Sequence, residues 1–126
     1  MGKPRILIVE DEYNVRDALD RWFTLRGFEA DNAEDGLAAV EKCRKHVYDI
    51  ITMDLEMPRM NGMEAISIIQ KIHPTVPIVV LTGFLPDPNG FSMAGVAQVV
   101  TKPIPLKELE HIVRDVLSKT GAVQQN

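Results

Sequence analysis

The chain holds one cysteine, one tryptophan and three histidines, and no apolar run comes close to the ~20 residues that span a bilayer. The lone thiol at Cys43 excludes an intramolecular disulfide and a cysteine-rich zinc site, and it suits a reducing compartment. We read it as a small core residue rather than a redox switch. His46, His73 and His111 stand apart with no metal-ligand spacing, so we take them as structural or exposed. Basic charge is also scarce. With 14 Lys+Arg against 18 Asp+Glu, a net charge of −4, no basic face offers itself to phosphate backbones, which argues against direct nucleic acid binding. The N-terminus lacks a signal-peptide h-region, so the expectation is a cytoplasmic protein without membrane attachment. What is present is 126 residues, 45% of them hydrophobic, enough for one domain with its own core.

Short apolar runs alternate with amphipathic stretches. Ile6–Val9, Ile50–Met53 and Ile78–Leu81 are unbroken β-forming runs, the pattern of strands buried on both faces. Phe28–Asp31 reads as a polar, non-central strand, and Gln98–Thr101 as a short fifth one. Between them, Val15, Ala18, Leu19, Trp22 and Phe23 recur at helical spacing, with Asn14 the expected N-cap and Gly27 the stop; Trp22 is thus core rather than a cofactor platform. Leu37, Val40 and Cys43 mark a helix over 34–44, and Ala65, Ile66 and Ile69 mark another. Leu106, Leu109, Ile112, Val113, Val116 and Leu117 mark the last, over about 105–119. The Pro- and Gly-punctuated segment 84–95 forbids a long regular helix from its start. Fivefold strand–helix alternation implies a single α/β domain over residues 1–119, a parallel sheet with helices on both faces, and a flexible tail over 120–126.

In an open parallel sheet the ligand crevice lies beyond the carboxyl ends of the strands. Those ends carry Glu10-Asp11, Asp54, Thr82 and Lys102-Pro103. Two carboxylates about 5 Å apart repel by roughly 3 kcal/mol at an effective dielectric near 20, so a cluster of three needs counter-charge. Lys102 supplies some. A hard divalent cation, Mg²⁺ or Mn²⁺, suits an all-oxygen site completed by a backbone carbonyl and waters. Such a site favours a phosphoryl group, with Asp54 as nucleophile, Lys102 neutralising phosphoryl oxygens and Thr82 donating to one of them. Glu12 reads as a helix-start carboxylate favoured by the dipole.

Five stretches together resemble the receiver domain of two-component response regulators: Ile6–Glu12, Ala33–Gly36, Met53–Gly62, Val76–Thr82 and Thr101–Pro103. The resemblance runs nearly end to end and implies a flavodoxin-like, doubly wound five-stranded parallel sheet of order 2-1-3-4-5. It places the metal-binding acids on Glu10 and Asp11, the phosphoacceptor on Asp54, the switch hydroxyl on Thr82 and the catalytic lysine on Lys102. The backbone carbonyl of Glu56 falls at a main-chain metal ligand, and the Lys102–Pro103 bond at a cis peptide. The implied partners are a histidine kinase or histidine phosphotransfer protein docking near the first helix, and a downstream protein or effector domain. A phosphorylation-dependent dimer is also implied. The chain would catalyse only its own phosphorylation and dephosphorylation, and would otherwise act as a switch rather than an enzyme.

Three features depart from that family. Val99 stands where an aromatic switch residue is common, so a ring-rotamer switch cannot operate there. The stretch from Thr82 to Lys102 is slightly short, so the helix between the fourth and fifth strands is expected to be short or irregular. Glu56, two residues after Asp54, adds a further acid beside the acceptor. Two other readings stay open at this stage. One is a small Mg²⁺-dependent phosphohydrolase with Glu56 as second acid; the other is an interaction module that keeps the fold without phosphorylation.

Overall fold

The computed structural model describes residues 2–57, 60, 62–83 and 95–120. Strands β1 (Arg5–Val9), β3 (Ile50–Asp54) and β4 (Ile78–Thr82) are buried almost throughout, whereas β2 (Glu29–Ala33) and β5 (Val96–Thr101) are partly exposed. The order is β2-β1-β3-β4-β5, all parallel, so the polar strands take the edges and the apolar ones the centre. Helices α1 (Tyr13–Leu25), α2 (Gly36–Lys45), α3 (Gly62–Ile72) and α4 (Leu106–Thr120) cover the two faces. Because side chains alternate along a strand, each strand feeds two cores. Leu7, Val9, Ile51, Met53 and Val80 pack with Ala39, Val40 and Cys43 of α2 and Ile66 and Ile69 of α3. Ile6, Ile8, Ile50, Val79 and Leu81 pack with Leu19 and Phe23 of α1 and Leu109, Val113 and Leu117 of α4. This is the doubly wound sheet expected.

Several local expectations shift. The N-cap of α1 is Glu12 rather than Asn14, because the Arg16 N–H reaches the Glu12 carbonyl at 2.9 Å and closes the first turn directly after the acidic pair. Val15 and Ala18 consequently face solvent, leaving Leu19 and Phe23 as the buried residues of that helix. Gly27 does end it, at φ 97°; the Gly27 and Phe28 N–H groups return to the Thr24 and Phe23 carbonyls. That is the Schellman arrangement, in which a left-handed residue costs glycine least. Helix α2 starts at Gly36, capped by the Asp35 carboxylate, which accepts from Ala38 N–H at 2.8 Å. Leu37 is exposed instead of inward-facing.

Strand β2 runs on to Ala33 because its polar residues find partners. Tyr48 Oη donates to Asp31 at 2.7 Å and Asn32 donates to Asp20 at 2.6 Å. Strand β5 starts at Val96, two residues early, just after Gly95 at φ 81°. Thr120 closes α4 rather than opening a tail. The expected irregular segment and the tail, 84–94 and 121–126, lie outside the described residues.

Helix α1 is tied to α4 by one buried acid. Glu110, 5% exposed, accepts from Trp22 Nε1 at 3.0 Å, Arg26 Nε at 3.0 Å and Arg114 Nε at 2.8 Å. Burial alone would raise its pKa, but these partners together hold the carboxyl below its ordinary value of 4.5. A depressed folded-state pKa stabilises above the unfolded value, and that increment disappears as pH falls through the folded one. Glu110→Gln should therefore unfold in urea with stability lower by about 1–3 kcal/mol at pH 7, a range kept modest because both arginines are half-exposed. The wild-type and variant stabilities should converge as pH drops below 4.5; parallel curves would show that the charge is not the source.

Candidate functional site

Parallel register sets the site. Val9 pairs with Met53, Asp54 with Leu81 and Thr82 with Thr101, so four strands end level. The ladder continues just past them: Glu10 N–H to Ala33 carbonyl at 3.1 Å, Leu55 N–H to Leu81 carbonyl at 3.1 Å, and Lys102 N–H to Thr82 carbonyl at 2.8 Å. Glu10, Asp54, Thr82 and Lys102 are thereby gathered at one edge, with Asp11 one residue further out on the exposed turn. The Lys102–Pro103 peptide is cis, as expected. Val99 pairs with Val80 and packs partly buried against the core under α2 and α3.

Gly62 makes the β3–α3 loop fit. A Cβ there would lie 2.6 Å from the Asp54 carbonyl oxygen and 2.8 Å from Leu55 Cα, so α3 can start against the end of β3 only with glycine at this position. Met57 and Met60, partly buried, pack against the core under α2 and α3.

The electrostatics are those of crowded acids sharing one ammonium. Lys102 Nζ lies 3.2 Å from Asp54 Oδ2 and 3.7 Å from Glu10 Oε1. Burial pushes the Glu10 carboxyl up to about 7, the Glu12 N–H at 3.1 Å offsetting part of this and the Asp54 charge adding to it. Burial also raises Asp54, against the opposing pull of Lys102 and of the Glu56 N–H, which reaches Asp54 Oδ1 at 3.1 Å. For Lys102, burial works against the charge, but Asp54 and Glu10 more than compensate and hold its pKa above the ordinary 10.5.

Does this set fit a cation? Carboxylate oxygens of Glu10, Asp11 and Asp54 lie within 4.8 Å of one another. Glu10 Oε1 is buried and has no hydrogen-bond partner among the described residues. A buried, under-satisfied carboxylate oxygen in an all-oxygen acidic cluster fits a hard divalent ion.

Two contributors are not legible in the sequence. Arg16, on the first turn of α1, donates through Nη1 to the Glu10 carbonyl at 3.0 Å and the Asp11 carbonyl at 3.3 Å, pinning the acidic turn. The Glu56 side chain, expected only as a further acid beside the acceptor, crosses to the end of β4. There its carboxylate accepts from Thr82 Oγ1 and, at 3.0 Å, from Gly83 N–H. Only the register of β3 against β4 puts these groups within reach. So engaged, Glu56 is not placed as the second acid of a phosphohydrolase. Cys43 is buried and free, and burial raises its thiol to about 11, consistent with packing rather than reactivity.

Residues 6–114 match the family model described as the response regulator receiver domain. The chain is 31% identical over 124 residues to the transcriptional regulatory protein PrrA of Mycobacterium leprae, covering 97% of this chain and 53% of that protein. It is 47% identical over 81 residues to the chemotaxis protein CheY of Thermotoga maritima, covering 64% of this chain and 67% of that protein. The chain spans about half of PrrA, and 25% of the Escherichia coli regulatory protein AtoC, to which it is 34% identical. Among solved structures, response regulator TrrA of Thermotoga maritima in complex with Mg²⁺-BeF superposes with a TM-score of 0.80 at 32% identity, covering 92% of this chain and 99% of that one. A CheY-like receiver domain protein of Methanospirillum hungatei shares the fold, with a TM-score of 0.89 at 24% identity over 96% of this chain and 98% of that one. The acids at the sheet's end thus sit in a family whose fold and sequence this chain shares throughout: it belongs to the response regulator receiver domains of two-component signal transduction.

Proposed function

We propose that Asp54 is the phosphoacceptor of this receiver, taking a phosphoryl group from the phosphohistidine of a histidine kinase or histidine phosphotransfer protein. The single observation behind this reading is the convergence of Asp54 with Glu10, Lys102 and Thr82 at one sheet edge. An Asp54 oxygen forms the O–P bond as the donor's N–P bond breaks. Lys102 Nζ balances the charge on the phosphoryl oxygens, and Thr82 Oγ1 donates to one of them. Glu10, Asp11, Asp54 and the Glu56 carbonyl are the residues to hold Mg²⁺ or Mn²⁺. Bound there, the ion supplies positive charge that lets an anionic donor approach an anionic acceptor. The new charge, about −1.5 to −2 by analogy with other phosphorylated side chains, biases Thr82 and the strand that carries Val99 toward a second state. Output is then a change in affinity for a downstream protein or effector domain, with dimerisation one form of it.

Supporting a donor's approach is a groove of about 550 Å³ between α1 and the β5–α4 connection. Val15, Ala18, Pro103 and Ile104 line it, with Glu10 and Lys102 on its wall. Val15 and Ala18, which stay out of the core, thus face this groove on the side that carries Glu10 and Lys102. A partner helix bearing histidine would lie there with its imidazole toward Asp54.

Incubation with acetyl phosphate and Mg²⁺ should add the mass of one phosphate to the intact protein, and EDTA or Asp54→Ala should abolish the addition. Retention of the added mass in Asp54→Ala excludes this acceptor. Asp11 is exposed, so Asp11→Ala should leave urea stability within about 0.5 kcal/mol. It should nevertheless weaken Mg²⁺ binding, read by calorimetry, by at least about tenfold. Unchanged affinity would remove Asp11 from the metal set.

A further inference from the structure

Glu56 has no burial to hold its side chain in one place, since it is exposed. Its carboxylate is nonetheless fixed by two donors, the Thr82 hydroxyl on Oε2 and the Gly83 N–H on Oε1 at 3.0 Å. Its own backbone N–H is spent on Asp54 Oδ1 at 3.1 Å, which anchors the base of the side chain beside the acceptor. The side chain thus arches from the end of β3 to the end of β4. Both of its oxygens are satisfied by groups adjacent to Asp54 in the sheet, for Asp54 pairs with Leu81 and Thr82 and Gly83 follow. A hydroxyl and a main-chain N–H held side by side suit a tetrahedral oxyanion as well as a carboxylate, since each presents oxygens with free lone pairs.

We propose that Glu56 is an internal anion occupying the donors a phosphoryl group on Asp54 would need, so that phosphorylation requires its displacement from Thr82 and Gly83. The inference rests on the acceptor reading above and adds a determinant particular to this chain. Two consequences follow from the geometry. First, Thr82 is already drawn toward the site before any phosphoryl group arrives, by a carboxylate in place of a phosphate. Second, the incoming group meets a competitor that carries charge of its own sign and uses the same hydrogen bonds. Glu56 therefore lowers the affinity of the site for phosphoryl-like anions, and residues that lack either the charge or the acceptors relieve it.

The test is equilibrium binding of beryllofluoride at saturating Mg²⁺, followed by ¹⁹F NMR on the full chain. Wild type, Asp54→Ala, Glu56→Gln, Glu56→Ala, Thr82→Ala and the Glu56→Ala/Thr82→Ala double variant are compared. Glu56→Ala should bind about tenfold more tightly than wild type, the scale of one charge-assisted hydrogen bond released. Glu56→Gln, which is neutral but keeps one acceptor, should fall between them. In the Thr82→Ala background the gain from Glu56→Ala should shrink to about threefold or less, because one contested donor is gone. Equal or weaker binding by Glu56→Ala overturns the proposal. So does a gain that survives undiminished without Thr82, which would mark a field effect of the charge rather than occupation of shared donors. If wild type binds and Asp54→Ala does not, the acceptor reading stands whichever way Glu56 falls; binding by no variant overturns both.

Discussion

The ammonium of Lys102 is the interaction on which the sheet's functional end depends. It lies within 3.2 Å of Asp54 and 3.7 Å of Glu10, two carboxylates that are each 1% exposed. Without it, two buried negative charges would face each other with little solvent to separate them, and both would take up protons. With it, burial still drives Glu10 up to about 7 and Asp54 above its ordinary value. One cation is too few for the acids present. That residual hunger for positive charge is the physical basis for reading the cluster as a seat for a divalent ion, and it costs the apo protein stability in exchange for a site that responds to an anion.

The rest of the fold serves to present this edge. Buried β-forming runs in β1, β3 and β4 force a central position with helices on both faces, and parallel pairing then levels the strand ends. Gly62 lets α3 begin against the end of β3, and Arg16 pins the acidic turn by its carbonyls. The Glu110 cluster fixes α4, and hence the strand end that carries Lys102, against α1. Membership in the receiver family follows from the sequence and fold matches, while the relatives PrrA and AtoC extend well beyond the matched part.

Much of this was readable in advance, for stated reasons. Strands buried on both faces announce themselves as continuous β-forming runs, and the ends of the strands suffice to put Glu10, Asp54, Thr82 and Lys102 on one edge. Periodicity was less reliable for the helices. Val15, Ala18 and Leu37 sit at inward spacing yet face solvent, because each helix buries a narrower stripe than its apolar residues mark out. Polar β2 extends two residues beyond its sequence signal, because Asp31 and Asn32 are unremarkable until Tyr48 and Asp20 fold onto them. The Glu56 carboxylate was legible only as an extra acid. Its bonds to Thr82 and Gly83 depend on the register of two strands, a quantity that spacing along one chain does not contain. The expected irregular helix between β4 and β5 falls outside the described residues.

The convergence of acids, hydroxyl and ammonium at the strand ends supports Asp54 as a phosphoacceptor. A crystal structure of the chain with Mg²⁺ and beryllofluoride tests it most directly. Beryllium should be bonded to an Asp54 oxygen, the cation held by Glu10, Asp11, Asp54 and the Glu56 carbonyl, and fluorides should accept from Lys102, Thr82 and Gly83. Beryllofluoride seated elsewhere, with the Asp54 carboxylate still engaged only by Lys102 and the Glu56 N–H, would contradict it.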